Sequence, residues 1–218
     1  MFLPACENCL TPSRELFCGP CRELLEFKNV CISCGHYSLV GLTQCIGCRN
    51  KSWAWDDLYS SFFFTEGVCR WMSDIKEGGR PERWRELRKD WIPKFSQLPE
   101  AIVFVPADPS SFRRRLYDPG EALAEHLARR LRLPVLNIFR REIFLSSQKQ
   151  LSRQDRLQYF RETLKLQPLT QRFTCLLLVD DVMTTGASLT HCSELLRAVS
   201  ERVVVYSVAR TLATKPLI

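Results

Sequence analysis

The chain has 218 residues, of which 45% are hydrophobic and 25% are charged, and its formal net charge is +7. This composition is that of a globular protein and excludes a chain that is disordered throughout. No apolar run approaches the roughly 20 residues that a membrane-spanning helix needs, so we expect no membrane insertion. The first residues have neither a basic start nor a long apolar run, so we expect a cytoplasmic protein without a secretory signal.

Cysteine is concentrated at the start of the chain. Eight of the 11 cysteines lie before residue 50, in four pairs whose members are separated by two residues. Such a pair points both sulfurs at one ion, and a second pair completes the tetrahedron that zinc requires. This segment has few large apolar residues, so a bound metal would supply much of its folding free energy. The predicted ligands are Cys6, Cys9, Cys18, Cys21, Cys31, Cys34, Cys45 and Cys48.

Two structural zinc ions explain this spacing better than disulfides or a redox site. Disulfides need an oxidising compartment, and a thioredoxin-like site would have one such pair rather than four in tandem. Two ligand pairings fit: neighbouring pairs sharing an ion, as in two successive zinc ribbons, or a cross-brace. We favour the sequential pairing because it closes the shorter loops. We expect residues 1–52 to form a zinc-binding (double zinc ribbon) domain and residues 53–218 to form a second domain.

Beyond residue 53, short and wholly apolar strands alternate with helices, which indicates an α/β domain with a parallel sheet covered on both faces. Proline, glycine and hydrophobic spacing set the limits of the elements. The predicted strands are 58–65, 101–106, 173–179 and 202–209, and the predicted helices are 66–76, 82–98, 118–133 and 186–199. We expect a basic loop at 109–117, and a mobile loop or frayed helix at 146–161.

The positive charge lies between residues 70 and 161, where there are 20 basic and 12 acidic residues, whereas residues 1–60 have five basic and six acidic ones. Arginine predominates, and its guanidinium binds phosphate through two hydrogen bonds. We therefore expect a phosphorylated small molecule, a nucleic acid, or both as partners. The run Arg113–Arg115, in a predicted loop, is a candidate nucleic-acid contact. Arg129 and Arg130, on an amphipathic helix, are more typical of a solvated face.

The most informative motif follows the strand 173–179. Asp180 and Asp181 stand at its carboxyl end, and a loop of small and hydroxylated residues then leads into a helix. In parallel sheets this position, together with the free N–H groups of the helix, forms an anion site. Two carboxylates suit a vicinal diol, and a diol beside a phosphate describes a ribose 5-phosphate. The predicted phosphate-binding residues are Thr184, Thr185, Gly186, Ala187 and Ser188.

The run 180–188 resembles the phosphoribosyl-pyrophosphate (PRPP) signature of type I phosphoribosyltransferases. Four cysteine pairs ahead of such a domain resemble the ComF family of competence proteins, which has an N-terminal double zinc ribbon. The resemblance implies a type I phosphoribosyltransferase-like parallel sheet, with PRPP or a related ribose phosphate as the ligand and Mg²⁺ bound with PRPP. It also implies a role in handling incoming single-stranded DNA in natural transformation.

The resemblance also assigns roles to residues. Asp180 and Asp181 match the ribose-binding acidic pair, residues 184–188 match the 5-phosphate loop, and residues 105–106 with the basic loop match the pyrophosphate side. Where the family usually has Arg-Gly-aromatic-Asn-Gln, this chain has Arg-Leu-Tyr-Asp-Pro from Arg115 onward. A transferase would use Asp180, Asp181 and Arg115 in catalysis, but the missing glycine and amides weigh against pyrophosphate binding.

Three functions stay open at this point. In the first, the PRPP pocket is a sensor or a phosphate site, and the basic face carries single-stranded DNA. In the second, the protein is an active phosphoribosyltransferase with an unknown acceptor. In the third, the acidic zinc domain docks a competence helicase or an uptake protein. The predicted nucleic-acid contacts of the first are Arg113, Arg114, Arg115, Arg153 and Arg156.

Overall fold

The computed structural model of the protein describes residues 4–36, 44–107, 109–141 and 153–211, without the side chains of residues 109–111 and 153–157. The strands of its main sheet are β1 (Asp57–Phe63), β2 (Ala101–Phe104), β3 (Val135–Leu136), β6 (Phe173–Met183) and β7 (Ser200–Arg210). They form a five-stranded sheet in the order β1-β7-β6-β2-β3. All four neighbouring pairs are parallel. The predicted α/β class with a parallel sheet is confirmed.

The central strand β6 is buried on both faces. Leu177 and Val179 pack into the core on one face of the sheet, whereas Leu176 and Leu178 pack into the core on the other. Because successive side chains of a strand point to opposite faces, a strand covered on both sides needs an unbroken apolar run. The structure extends this strand beyond the predicted segment to Met183, so the sheet includes Asp180 and Asp181.

Three helices begin and end close to their predicted limits: α2 (Glu66–Lys76), α4 (Pro119–Leu131) and α6 (Ala187–Leu196). Capping residues in the sequence explain two of the starts. The Thr65 side chain accepts from the Val68 N–H at the start of α2, and the Asp118 side chain accepts from two N–H groups at the start of α4. Such caps satisfy N–H groups that have no partner inside the helix.

Further short elements include α1 (Gly19–Leu25), α5 (Arg153–Thr163), a 3-10 turn at Ile46–Cys48, and an antiparallel ribbon of β4 (Phe139–Arg141) with β5 (Leu164–Leu166). The sequence did not predict the ribbon, whose strands have three residues each. For 153–161 the helical alternative holds, and 146–152 lie outside the described residues. Within the described ranges, no helix has the length and apolar character needed to cross a membrane.

The predicted helix at 82–98 is wrong. This segment forms two 3-10 turns, Pro81–Glu86 and Lys89–Trp91, joined and followed by irregular backbone. Pro93 lies inside the predicted helix, where it cannot donate a hydrogen bond and its ring clashes with the preceding turn. Trp84 and Trp91 are nevertheless buried. Their helix-like spacing therefore reflects packing into the core and not a helix.

The predicted basic loop at 109–117 is also wrong, because residues Pro109–Arg115 form a helix, α3. Proline is favoured at the first position of a helix, where its missing N–H costs nothing. This signal was present in the sequence. The run Arg113–Arg115 consequently lies in the last turn of a helix, where cations interact favourably with the helix dipole.

The segment that contains the four cysteine pairs, here called the cysteine-rich segment, packs directly against the sheet. Phe17 is fully buried, and its ring centroid lies 5.3 Å from that of Phe62 and 6.0 Å from that of Trp91. Leu25 of α1 and Cys6 belong to the same hydrophobic core. The domain boundary at residue 52 stays a prediction. Because the two parts share this core, each contributes to the stability of the other.

A cluster of ion pairs joins the same two parts. The mostly buried Arg83 lies 2.6 Å from Glu7, 2.6 Å from Asp74 and 2.9 Å from Glu86. Glu7 directly follows Cys6 in the sequence, so this cluster helps to fix the first cysteine pair. Removing one residue of this cluster would leave the remaining charges without a partner in a partly desolvated position. The resulting loss of folding stability is larger than that from breaking an ion pair exposed to solvent.

We expect Phe17→Ala to lower the free energy of unfolding of the zinc-loaded protein by about 3–5 kcal/mol, because it leaves a cavity between the cysteine-rich segment and the sheet. Urea unfolding followed by tryptophan fluorescence measures this. Phe112→Ala, at a side chain that is 47% exposed, is the control, with an expected change below about 0.5 kcal/mol. A Phe17→Ala protein whose thiols become exposed in a separate early transition, with the sheet unaffected, would contradict the shared core.

Candidate functional site

The eight predicted metal ligands form two groups. The first cysteine cluster is Cys6, Cys9, Cys18 and Cys21, and the second cysteine cluster is Cys31, Cys34, Cys45 and Cys48. Within each cluster the sulfur atoms all lie within 4.8 Å of one another. This grouping is the one that sequential pairing predicts, and it differs from that of a cross-brace. Each cluster could hold one metal ion.

The distances between the sulfurs fit a tetrahedral ion. The Sγ atoms of Cys9 and Cys18 are 3.6 Å apart, and those of Cys34 and Cys45 are 3.7 Å apart. Four sulfurs at about 2.3 Å from a central zinc would lie about 3.8 Å from one another. A disulfide would bring two sulfurs to about 2.05 Å, and these cysteines are free. The donor set and its geometry fit zinc.

The two cysteine clusters repeat one local backbone geometry. Leu10 and Gly35, each directly after the second cysteine of its cluster, have positive φ angles of 63° and 67°. In both clusters the N–H of the third cysteine donates to the sulfur of the first, at 3.3 Å. Donors aimed at sulfur favour the thiolate, which is the form that binds metal.

A second candidate site lies at the carboxyl end of β6. Asp180 and Asp181 are on this strand, and residues 183–188, here called the phosphate loop, connect it to α6. Thr184 and Thr185 are exposed, so a ligand can reach them. The structure thus brings the predicted ribose-binding and phosphate-binding residues together at one edge of the sheet.

The first turn of α6 suits an anion. Its N-cap residue is Gly186, which has no side chain to cap the helix, and the Thr185 hydroxyl accepts only a long bond of 3.4 Å from the Ala187 N–H. The first N–H groups of a helix have no partner inside it and lie at the positive end of the helix dipole. This turn can therefore bind a phosphate group through its backbone.

Position 186 requires glycine for two reasons. Its φ angle of 76° is one that other residues rarely adopt. A Cβ atom there would also lie 2.6 Å from Cε of Met183 and 3.3 Å from the ring of Trp55. The glycine therefore lets the phosphate loop turn tightly over Trp55.

The two carboxylates of the site differ in their surroundings. Asp181 Oδ2 lies 2.7 Å from Nζ of Lys76, the last residue of α2. Removal from water and the neighbouring Asp181 carboxylate raise the pKa of Asp180 well above its ordinary value. Asp181 thus has a cation beside it, whereas Asp180 is held where its negative charge is disfavoured. A ligand that donates hydroxyl groups would relieve that cost at Asp180.

Arg115 forms an ion pair with α2 instead of extending into an open site. Its Nη2 donates to Glu77 Oε1, and Nη2 of Arg114 lies 3.5 Å from the other oxygen of Glu77. The end of α3 is thereby docked on the end of α2. The catalytic role of Arg115 stays a prediction, and it would require this pair to open.

The remaining arginines predicted to bind nucleic acid are spread over two helices. Arg113 and Arg114 are exposed on α3. Arg153 and Arg156 belong to α5, but their side chains lie outside the described part of the structure. The role of these arginines in nucleic-acid binding stays a prediction.

Asp118, which stands where the family has an amide, is committed to the backbone. Its carboxylate accepts from the N–H of Ala107 at 2.6 Å, of Gly120 at 2.8 Å and of Glu121 at 3.3 Å. Burial raises the pKa of this carboxyl, and the three donors oppose that shift. Ala107 directly follows the segment predicted to face pyrophosphate. Because its N–H donates to Asp118, this N–H is already used within the protein.

The fold brings two further cations to this site, Lys76 and Arg141, which sequence reasoning did not assign to it. Arg141 ends β4, donates to the carbonyl of Pro106 at 3.3 Å and lies over the ring of Phe160, 4.7 Å from its centroid. It therefore reaches the predicted pyrophosphate side from another part of the chain. The Arg140-Arg141 pair was visible in the sequence, whereas nothing local connects Lys76 with Asp181.

Comparison with known proteins found similarity to one curated protein and to several solved structures. No protein-family model matches the chain. Competence protein F of Haemophilus influenzae is 26% identical in an alignment 226 positions long, which covers 94% of this chain and 95% of the relative. The chain is thus similar to Competence protein F along nearly its whole length. The match is long enough to include both the cysteine-rich segment and the sheet.

Solved structures similar to this chain include two phosphoribosyltransferases. Adenine phosphoribosyltransferase from Leishmania tarentolae is 14% identical, over 67% of this chain and 72% of that one, with a TM-score of 0.34. Purine phosphoribosyltransferase from Pyrococcus horikoshii is 16% identical, over 72% of this chain and 96% of that one, with a TM-score of 0.32. At these TM-scores the fold class rests on the strand order of the sheet itself and not on this similarity.

We expect Asp180→Asn to raise the free energy of unfolding at pH 8 by about 1 kcal/mol, because it removes a poorly solvated carboxylate beside Asp181. Lys76→Met is expected to lower it by about 2 kcal/mol, and by less in the Asp180→Asn background. A carboxyl with a raised pKa costs the folded state stability as the pH rises through that pKa. The gain from Asp180→Asn should therefore shrink at lower pH.

Urea unfolding of the three variants and of Lys89→Met, an exposed control, measures these differences between pH 5 and 8. A loss of stability in Asp180→Asn at pH 8 would contradict the assigned electrostatics of the site.

Proposed function

We propose that this chain binds a ribose 5-phosphate compound, PRPP or a close relative, at the phosphate loop and uses that site in handling single-stranded DNA during competence. The observation that carries the proposal is the convergence of Asp180 and Asp181 with the open first turn of α6. The similarity to Competence protein F supports the cellular setting.

The binding geometry follows from the chemistry of the two groups. The 5-phosphate would accept from N–H groups of the phosphate loop and from the hydroxyls of Thr184 and Thr185. The ribose diol would donate to Asp180 and Asp181, which lie next to the loop on β6. Hydroxyl donors stabilise a carboxylate that burial has made unfavourable. Ribose without a phosphate would lack the first of these two contacts.

Magnesium would enter with the pyrophosphate of PRPP. Among the described residues, the groups of side chains that could hold a metal ion are the two cysteine clusters, and sulfur ligands do not suit magnesium. We therefore assign a structural zinc ion to each cluster and no separate magnesium site to the described part of the chain. The sulfur spacing and the N–H donors aimed at sulfur support zinc.

Transfer of the ribose phosphate to an acceptor is the less supported alternative. The reaction would break the bond between C1 and pyrophosphate, and cations facing pyrophosphate would have to stabilise the departing charge. Arg115 is paired with Glu77, and the Ala107 N–H donates to Asp118. With these two donors engaged, Arg141 is the described cation that reaches this side, through Pro106. These contacts favour binding over turnover.

Two exposed basic residues on the β4–β5 ribbon support a surface that binds nucleic acid. Arg140 and Lys165 lie directly opposite each other on the β4–β5 ribbon, and both are exposed. Within the described ranges neither has an ion-pair partner, whereas Arg114 and Arg115 pair with Glu77. Like charges directly opposite on two strands repel each other. A phosphate backbone passing over the ribbon would relieve this repulsion, so we propose this pair as a contact for single-stranded DNA.

We expect calorimetric titration of the zinc-loaded protein with PRPP and Mg²⁺ to show saturable binding. The Asp180→Asn/Asp181→Asn variant is expected to lose at least about tenfold in affinity, since it loses both charge-assisted hydrogen bonds to the diol. Glu201→Gln, at an exposed acidic residue, is the control and should bind as the unmodified protein does. Absence of binding to the folded protein at millimolar PRPP would contradict the proposal.

We expect affinity for single-stranded DNA to fall steeply with salt. Each phosphate contact adds about 0.7 to the slope of log K against log salt for single strands, so Arg140→Gln/Lys165→Gln should reduce the slope by about 1.4. Arg129→Gln/Arg130→Gln, which makes the same charge change on α4, is the matched control. Equal losses in both double variants would show that net charge, and not the ribbon, governs binding.

A further inference from the structure

Two buried side chains contact both the second cysteine cluster and the phosphate loop. One is Arg210, the last residue of β7, and the other is Trp55, which lies two residues before β1. They are 7% and 3% exposed. The ribose-phosphate contacts proposed above use neither side chain.

Arg210 donates to backbone carbonyls on both sides. Its Nη1 donates to the carbonyl of Met183 at 3.2 Å and to that of Thr184, and its Nε donates to the carbonyl of Cys34 at 3.1 Å. Within the described part of the chain no carboxylate forms an ion pair with it. A buried guanidinium is tolerated only where its N–H groups have acceptors. These carbonyls must therefore keep their positions around it.

Trp55 makes a second connection between the same two places. Its Nε1 donates to the carbonyl of Ser33 at 2.8 Å, inside the turn between the first two cysteines of the second cluster. Its ring lies 3.3 Å from the position that a Cβ on Gly186 would occupy. The turn of the cluster and the tight turn of the phosphate loop thus pack against one side chain.

The first cysteine cluster lies elsewhere, at the start of α2. The Thr65 hydroxyl donates to Asn8 Oδ1 at 3.4 Å, and Arg70 donates to the carbonyl of Glu7 at 2.7 Å. Among the described contacts, none joins this cluster to the phosphate loop. The molecule therefore contains one cluster in contact with the loop and one similar cluster that serves as an internal comparison.

We propose that Arg210 is the positioning residue of the phosphate loop and that it links metal binding at the second cysteine cluster to ligand binding at the loop. This inference rests on the proposed function, since it needs a ribose phosphate at the loop. With all four thiolates bound to an ion, the turn 31–34 is fixed and presents its carbonyls to Arg210 and Trp55. Without the ion this turn can move, and Arg210 loses the Cys34 carbonyl as an acceptor. The hydrogen bonds from Arg210 to the phosphate loop then change as well.

Such a link acts in both directions. If metal at the second cluster increases the affinity of the loop for its ligand, the ligand must increase the affinity of that cluster for metal by the same factor. Couplings between two sites commonly amount to about 5- to 150-fold. We expect an effect of about tenfold, confined to the second cluster.

The test uses the full-length, zinc-loaded protein with a zinc-selective chelator and a thiol-alkylating reagent. Peptide mass spectrometry follows the alkylation of each cysteine pair over time. Saturating PRPP with Mg²⁺ is expected to slow alkylation of the second cluster about tenfold and to leave the first cluster unchanged. Calorimetry on the same sample reports independently whether PRPP binds.

Three variants separate positioning from general stability. Arg210→Met is expected to abolish the protection that PRPP gives to the second cluster, and Arg210→Lys, which keeps the charge but not the forked donors, to restore part of it. Arg70→Met is the matched control, because Arg70 also donates to a carbonyl beside a cysteine cluster. It should speed alkylation of the first cluster and leave the effect of PRPP on the second intact.

The outcomes are distinguishable. PRPP that binds without selectively protecting the second cluster overturns the link and leaves the proposed function standing, as does full protection in Arg210→Met. If Arg210→Met does not fold, undiminished protection in Arg210→Lys overturns the link. Absence of PRPP binding by calorimetry overturns both proposals. Gly186→Ala, measured without ligand, should speed alkylation of the second cluster only, and an unchanged rate contradicts the contact through Trp55.

Discussion

The parallel pairing of β6 with β7 is the constraint on which the rest of the structure depends. The two strands have 11 residues each and run in register from Phe173 opposite Ser200 to Met183 opposite Arg210. Burial on both faces fixes this register, since a shift by one residue would exchange the two faces of each strand. The register places two carboxylates and one buried cation at the same edge of the sheet, where the phosphate loop begins.

The cysteine-rich segment is part of this arrangement and not an appendage to it. Phe17 completes the core beneath the sheet, and the first cysteine cluster lies against the start of α2, whose last residue is Lys76. The second cysteine cluster contacts the phosphate loop through Arg210. Two copies of one small metal-binding geometry therefore lie at different places, one at the start of α2 and one beside the phosphate loop.

Local patterns made the two cysteine clusters and the turn from β6 into α6 predictable, because cysteine spacing and the run 180–188 encode them within a few residues. The prediction of a helix at 82–98 was wrong because it followed the spacing of the aromatic residues, although Pro93 disfavours a helix there. Lys76 and Arg210 could not be predicted as parts of the site. Their partners lie more than 100 and more than 20 residues away in sequence, and only the packed fold brings them together.

A crystal structure of the zinc-loaded protein with ribose 5-phosphate would test the central claim most directly. We predict that the phosphate lies on the N–H groups of the first turn of α6, and the diol within hydrogen-bond distance of Asp180 and Asp181. Arg210 should still join the loop to the second cysteine cluster, with zinc located there by anomalous scattering. A ligand bound elsewhere, or an empty phosphate loop at saturating ribose 5-phosphate, would contradict the account.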